Sequence, residues 1–374
     1  MTTLRRIFAV APDCHTSGGY YQSLWQRHFY DGLRAVAVSL DTPREVDFGW
    51  AREAGAWRRG AELAGRRATA SERLGEEIER ARSTHGLDAV VSYCFAQDVS
   101  PELVREVIRR GVPWINFFCD SMHCFEQVES LARVVSLNWF VEHGAAARYR
   151  DLGARAVCLP YALNPEALPE CGSQNAAGPV VFIGLPTANR ITQLGWLRLM
   201  GCRVSVRGHG WTGAGDDPFR SSLSAGERLR RALRWRGAGE KVMRRAFWPV
   251  VRRQAEGPLT DAELPAFLRA SFAVLGLNQG RDEQGQDFSY LKFRDLEFPG
   301  HGCCYVTEGN QDVAAALEPG KEVMTYGSMA EASAVLRELR RTPERAAAIG
   351  RAGRQRVLSD HLWSRRIQDL AAAL

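Results

Sequence analysis

Residues 87–119 read LDAVVSYCFAQDVSPELVREVIRRGVPWINFFC. Leu87–Cys94 and Pro113–Cys119 are short apolar runs rich in β-branched and aromatic residues. Between them, Pro101–Arg110 reads as a helix that opens on proline, whose fixed φ and missing N–H suit the first helical position. Apolar strands separated by a helix are the pattern of a parallel sheet covered on both faces. The alternation extends both ways. Toward the amino terminus come strands over Arg6–Pro12 (RIFAVAP) and Ala35–Leu40 (AVAVSL), and an amphipathic helix over Ser71–His85. A helix over Tyr20–Leu33 places Tyr21, Leu24, Trp25, Phe29 and Leu33 at helical spacing. Beyond Cys119, Arg133–Phe140 and Arg155–Leu159 are two further strand candidates with a helix between them.

Asn164–Pro179 (NPEALPECGSQNAAGP) lacks periodicity and is rich in Pro, Gly, Asn and Ser, which marks a linker. Past it the pattern restarts. Val180–Gly184 and Cys202–Arg207 read as strands around a helix at Arg190–Met200. Thr260–Ala270 is a helix, Ser271–Asn278 a strand, and Leu291–Phe298 leads a helix. Cys303–Thr307 and Glu322–Tyr326 are strands, with helices over Asp312–Leu317 and Met329–Leu339. The expected fold is α/β: two Rossmann-like, doubly wound domains facing each other across a cleft. The expected boundaries are 1–163, a linker over 164–179, a second domain over 180–355 with an insertion at 220–253, and a terminal segment over 356–374.

Length and composition agree with two domains. The chain has 374 residues, of which 45% are hydrophobic and 25% charged, so two cores can be filled. No apolar run approaches the ~20 residues that span a bilayer, and the run after the first two arginines is too short for a signal peptide. Nine dispersed cysteines without CxxC spacing read as reduced thiols, not as a disulfide framework or zinc site. The cytoplasm is the expected compartment. The net charge of +6 is a local feature: from Arg220 to Arg253 eleven Lys/Arg stand against two acids, leaving the remainder mildly acidic. A nucleic-acid partner is therefore not indicated. Trp235, Phe247, Trp248, Val250 and Val251 interleave with those arginines. The segment reads either as a peripheral patch for anionic lipid at the inner face of the membrane, or as a helical hairpin capping its own domain.

Ligands of doubly wound sheets sit at the carboxyl ends of strands, where helix amino termini offer N–H donors to anions. Gly18-Gly19, after the first strand, would let backbone approach a ligand closely, or form a tight turn. Gly184 ends the first strand of the second domain, and Arg190 stands where the next helix begins, suited to a phosphate or simply to the surface. Gly208-His-Gly-Trp211 follows another strand, where the indole would stack a base or pack in a turn. Lys292-Phe-Arg294-Asp-Leu-Glu297 offers two cations for a diphosphate and, one turn on, an acid for ribose hydroxyls. Asp120 and His123, just past a first-domain strand, are candidates to orient an acceptor, with a packed loop the plainer alternative.

From Val181 onward the chain resembles the CgeB-like (spore maturation protein) branch of glycosyltransferases, related to glycosyltransferase group 1. The ordered elements are FIGLPTANR, GHGW, LGLN ending at Asn278, Arg294 with Glu297 and Gly302, CCYVTE, EPGKE, and a closing segment with Ala352, Gly353, Arg354, His361 and Arg365. The first half fits more loosely, through GVPWINFFCDS and YRDLGARAVCLPYALNPE. The resemblance implies a GT-B fold, a nucleotide-diphosphate sugar as donor substrate held mainly by the second domain, an acceptor held by the first, and a last helix over Asp360–Leu374 returning to the first. It implies Glu297 on the donor ribose, Lys292, Arg294 and Arg190 on the diphosphate, and Gly208, Trp211 and Asn278 near base or phosphates. It further implies retention at the anomeric carbon with no cofactor and no metal; there is no DxD motif, Asp216 and Asp217 being adjacent. One position departs: the sugar-contacting Glu that group 1 enzymes often carry eight residues before the ribose Glu is here Ser289. The acceptor, whether glycan, protein, lipid-linked or small molecule, stays open. A nucleotide-sugar epimerase on the same fold and a non-catalytic spore-coat or scaffold protein are the alternative readings.

Overall fold

The computed structural model describes residues 4–11, 24–52, 62–212, 238–281 and 287–374. Gly18, Gly19 and the 220–237 part of the basic segment lie outside the described residues. The chain divides into two compact units, one formed by Met1–Leu168, Arg281–Phe293 and Val357–Leu374, the other by Pro169–Gly280 and Arg294–Arg356.

The first unit is built on six parallel strands: β1 (Arg6–Val10), β2 (Ser39–Asp41), β3 (Ala89–Ser92), β4 (Trp114–Phe118), β5 (Leu137–Phe140) and β6 (Ala156–Cys158). Their order is β2-β1-β3-β4-β5-β6. Residues 87–119 form the expected unit: β3 and β4 pair in parallel with Val91 opposite Ile115, and the helix Pro101–Arg109 connects them. Ser100 caps that helix by accepting from the Leu103 amide at 3.2 Å. Several boundaries differ from expectation, the helix expected from Ser71 beginning already at Ala64. The AVAVSL run finishes a helix at Val36 before β2 begins at Ser39, because so short an apolar run fits either period. The 133–140 run is strand only from Leu137.

The second unit repeats the plan with β7 (Val180–Ile183), β8 (Val204–Arg207), β9 (Ala255–Glu256), β10 (Ala273–Leu275), β13 (Tyr305–Glu308) and β14 (Met324–Tyr326). Their order is β14-β13-β10-β7-β8-β9, all parallel. Phe182, Leu194, Leu197, Val206, Trp211, Leu275 and Val306 fill its core. Between β10 and β13 the chain forms a two-stranded ribbon, β11 (Gly280–Arg281) and β12 (Asp287–Phe288).

Two segments join the first unit from far along the chain. The sequence reading put 281–293 in the second domain; its contacts instead place it in the first. Phe293 shows the reason, lying 4.8 Å from the His28 ring, 5.4 Å from Tyr161 and 6.5 Å from Trp25. The last helix, Trp363–Ala373, also belongs to the first unit. Its Trp363 is buried between Phe29 and Trp139, each at 5.6 Å, and donates its indole N–H to the His28 carbonyl at 2.6 Å. Gly32 makes room, since a Cβ there would stand 2.3 Å from the Trp363 ring.

Candidate functional site

In a doubly wound sheet the binding crevice opens where the strand order reverses. In the second sheet that point lies between β7 and β10, because the chain builds β8 and β9 to one side of β7 and β10, β13 and β14 to the other. Gly184 ends β7 there. The helix Ala188–Leu199 follows, capped by Thr187, whose hydroxyl accepts from the Arg190 amide at 3.3 Å. Arg190 folds over the strand ends, donating from Nε to the Leu277 carbonyl at 3.2 Å and from Nη1 to Leu185 at 3.1 Å. Arg294, at the start of the helix Arg294–Gly300, donates from Nη1 to the Ile183 carbonyl at 3.1 Å. Both guanidinium groups lie near the Phe182 ring, at 5.5 and 5.7 Å. A Cβ on Gly184 would stand 2.9 Å from Arg294 Nη1 and 3.4 Å from Arg190 Nη1. The absent side chain is thus the space on which two arginine heads converge.

Several expected ligand contacts are structural here. Trp211 is fully buried, stacks on Trp248 at 5.8 Å and donates its indole N–H to the Gly184 carbonyl at 2.6 Å. Its ring has no open face for a base, so that expectation is corrected. Gly208 has φ +146°, and a Cβ there would meet the Gly184 carbonyl oxygen at 2.3 Å. Its glycine serves backbone packing against Gly184. Asn278 is buried, and its side-chain amide donates to both Asp295 oxygens at 2.7 and 2.8 Å. Asp295 also accepts from Tyr305 and Thr307, at 2.7 and 3.1 Å. The neighbouring Glu308 accepts from the Asn278 backbone N–H and from the Gln193 side chain, both at 2.6 Å. This polar network braces the strand ends beneath the two arginines. Glu297, one turn beyond Arg294, is 1% exposed.

The chain passes from the first unit to the second between Phe293 and Arg294, so Lys292 is described with the first unit. Lys292 lies 3.4 Å over the Tyr290 ring and 3.6 Å from Asp120 Oδ1. The Tyr290 hydroxyl donates to the same oxygen at 2.5 Å. Asp120 Oδ2 takes a weak thiol contact from Cys119 at 3.8 Å. Among its described contacts Lys292 serves Asp120.

Asp120 leads from β4 into the short helix Ser121–Cys124, on which His123 is exposed. The start of that helix is clamped by Glu142, whose carboxylate accepts from the Ser121 amide at 2.6 Å and the Met122 amide at 3.2 Å. Ser121 Oγ and the Tyr149 hydroxyl share a hydrogen bond of 2.9 Å. Burial, and secondarily the charge of Asp120, push the Glu142 carboxyl up to about 7, against the pull of those amides and of Lys292.

The sequence reading missed Tyr290 and Glu142. Glu142 stands just past β5, at the same strand end that drew attention to Asp120 past β4; Tyr290 sits two residues before Lys292 in a stretch already singled out. Among the described residues no three His, Cys, Asp or Glu side chains gather as a metal site would require. A groove of about 700 Å³ in the first unit, between the helices Ala64–His85 and Pro101–Arg109, includes none of these residues.

Residues 198–372 match a protein family described as "Glycosyl transferase-like". No curated protein matches the chain. Solved structures do. Sucrose-phosphate synthase from Thermosynechococcus elongatus is 11% identical with a TM-score of 0.59, the match covering 98% of each chain. HepE from Anabaena, in complex with UDP-glucose, is 11% identical with a TM-score of 0.55, over 99% of this chain and 100% of that one. The lipopolysaccharide outer core galactosyltransferase WaaB, in its apo form, is 10% identical with a TM-score of 0.53, over 98% of each. The architecture is GT-B.

Proposed function

We propose that the chain is a glycosyltransferase that moves a sugar from a nucleoside-diphosphate sugar to an acceptor hydroxyl. The observation that carries the reading is the convergence of Arg190 and Arg294 on the space above Gly184, at the reversal point of the second sheet. Two guanidinium forks beside a helix amino terminus suit a diphosphate. When the bond from the anomeric carbon to the phosphate oxygen breaks, its electron pair stays on the leaving diphosphate. Fixed cations stabilise that growing charge without a divalent ion. The complex of HepE with UDP-glucose supports a nucleotide sugar as donor. Glu297, one turn beyond Arg294, is assigned the ribose hydroxyls.

On the first unit, Asp120 is the group assigned to the acceptor. Tyr290 and Lys292 occupy its Oδ1, so Oδ2 is the oxygen left to accept from an incoming hydroxyl. The motif order from FIGLPTANR to the closing AGR segment supports the CgeB-like branch. A retaining course follows with that placement: the acceptor proton passes to the departing phosphate oxygen, and Asp120 orients the nucleophile.

A thermal-shift screen of UDP-, GDP- and dTDP-sugars tests the reading directly. Stabilisation by one nucleotide series, lost in Glu297→Gln and Arg294→Ala, is the expected result. No stabilisation by any of them returns the chain to the scaffold reading, and epimerised donor formed without acceptor returns it to the epimerase reading.

A further inference from the structure

The described part of the basic segment carries an inference that does not depend on the transfer reaction. The helix Ala238–Arg252 has two apolar faces. Its inner face, Met243, Phe247 and Val251, packs into the core of the second unit. Its outer face repeats at i, i+4, i+7 and i+8 as Val242, Ala246, Pro249 and Val250, all exposed, with Val242 at 65% and Val250 at 40%. The helix Ala188–Leu199 packs alongside and adds Trp196 at 42% and Leu199 at 66%. The two helices meet at Gly195, where a Cβ would stand 2.2 Å from the Phe247 ring, and Trp196 meets that ring edge-on at 5.6 Å. One exposed Leu or Val is ordinary. Four large apolar side chains on adjoining helices form a patch.

The charge beside the patch is predominantly positive. Arg245, Arg252 and Arg253 are exposed beside the outer stripe, and Arg203 is exposed just past the other helix. The two helices together hold six Lys/Arg and one acid, Glu240. We infer that this face docks on an anionic phospholipid bilayer and lies in its interface. An apolar stripe flanked by arginines matches the boundary between headgroups and acyl chains, and a half-exposed indole favours that depth. A nucleic acid would match the cations and not the stripe. No helix among the described residues is long and apolar enough to cross a membrane, so the contact is a peripheral one.

The experiment is sedimentation of the full chain with vesicles of phosphatidylcholine alone and of phosphatidylcholine mixed with phosphatidylglycerol. The chain should pellet with the anionic vesicles only, and less so as salt rises. Arg245→Glu with Arg253→Glu should lower the partition coefficient by on the order of thirtyfold or more. Separately, Leu199→Ser with Val242→Ser, the two most exposed members of the patch, should lower it by at least about threefold, with the fold checked by the melting curve. Equal pelleting with neutral lipid, no pelleting, or full binding by either variant overturns the inference. So does a concentration-dependent dimer, seen by light scattering and abolished in the apolar variant, since that would make a second copy the occupant.

Discussion

At Gly184 one methyl group would crowd the corner proposed for the diphosphate. An alanine Cβ would press on Arg294 Nη1 and on the Phe182 ring, both at 2.9 Å. Gly184→Ala should weaken UDP-glucose binding by about tenfold while the protein stays folded, because the arginine head can swing and the sheet beneath cannot. Arg294→Ala should cost more. A charge-assisted pair is worth about 1.5–3 kcal/mol, so Kd by calorimetry should rise by roughly ten- to a hundredfold. An unchanged Kd in Arg294→Ala would remove the diphosphate from this corner. The places of Gly184, Arg190 and Arg294 at a strand end and at helix starts were legible in the sequence. Trp211 and Asn278 occupy such positions too. Their type and place do not reveal that the indole turns inward onto the Gly184 carbonyl, or that the amide is committed to Asp295.

The strand–helix–strand units are the part of the fold most legible in the sequence, since a buried parallel strand is a continuous apolar run. The turn that carries Asp120 was not legible, because what holds it is Glu142, more than twenty residues away. That clamp has a consequence for pH. The Glu142 carboxyl is raised from its ordinary 4.5 to about 7 in the folded protein, so the folded state binds this proton more tightly than the unfolded chain does. Its contribution to stability is full below the unfolded value and is lost as pH rises through about 7. The whole loss amounts to about 3 kcal/mol. Glu142→Gln removes this titration. In urea melts from about pH 5 to 8, the wild type should lose stability relative to Glu142→Gln as pH rises. Parallel curves would show that the carboxyl stays ionised throughout, held by the Ser121 and Met122 amides and by Lys292.

Over the whole molecule, helical and strand period alone do not show which unit each late segment joins; the return of the last helix was expected only from the family resemblance. Helical or strand period tells what a segment is, and it says nothing of the surface that receives it. Residues 281–293 and 357–374 join the first unit through particular aromatic side chains, Phe293 against Trp25, His28 and Tyr161, and Trp363 against Phe29 and Trp139. Trp363 is 2% exposed and its N–H is spent on the His28 carbonyl, so Trp363→Ala leaves a cavity and removes that hydrogen bond. Truncation of a buried Trp costs about 3–5 kcal/mol. The loss should fall on one unit. Hydrogen exchange should speed up at amides of β1, β3, β4 and β5, which share the core that Trp363 closes, while amides of β7, β10 and β13, packed around Phe182 and Leu275, keep their protection. If both sets lose protection equally, the two units unfold as one cooperative body, and the carboxyl-terminal helix stabilises the entire chain instead of the unit it packs on.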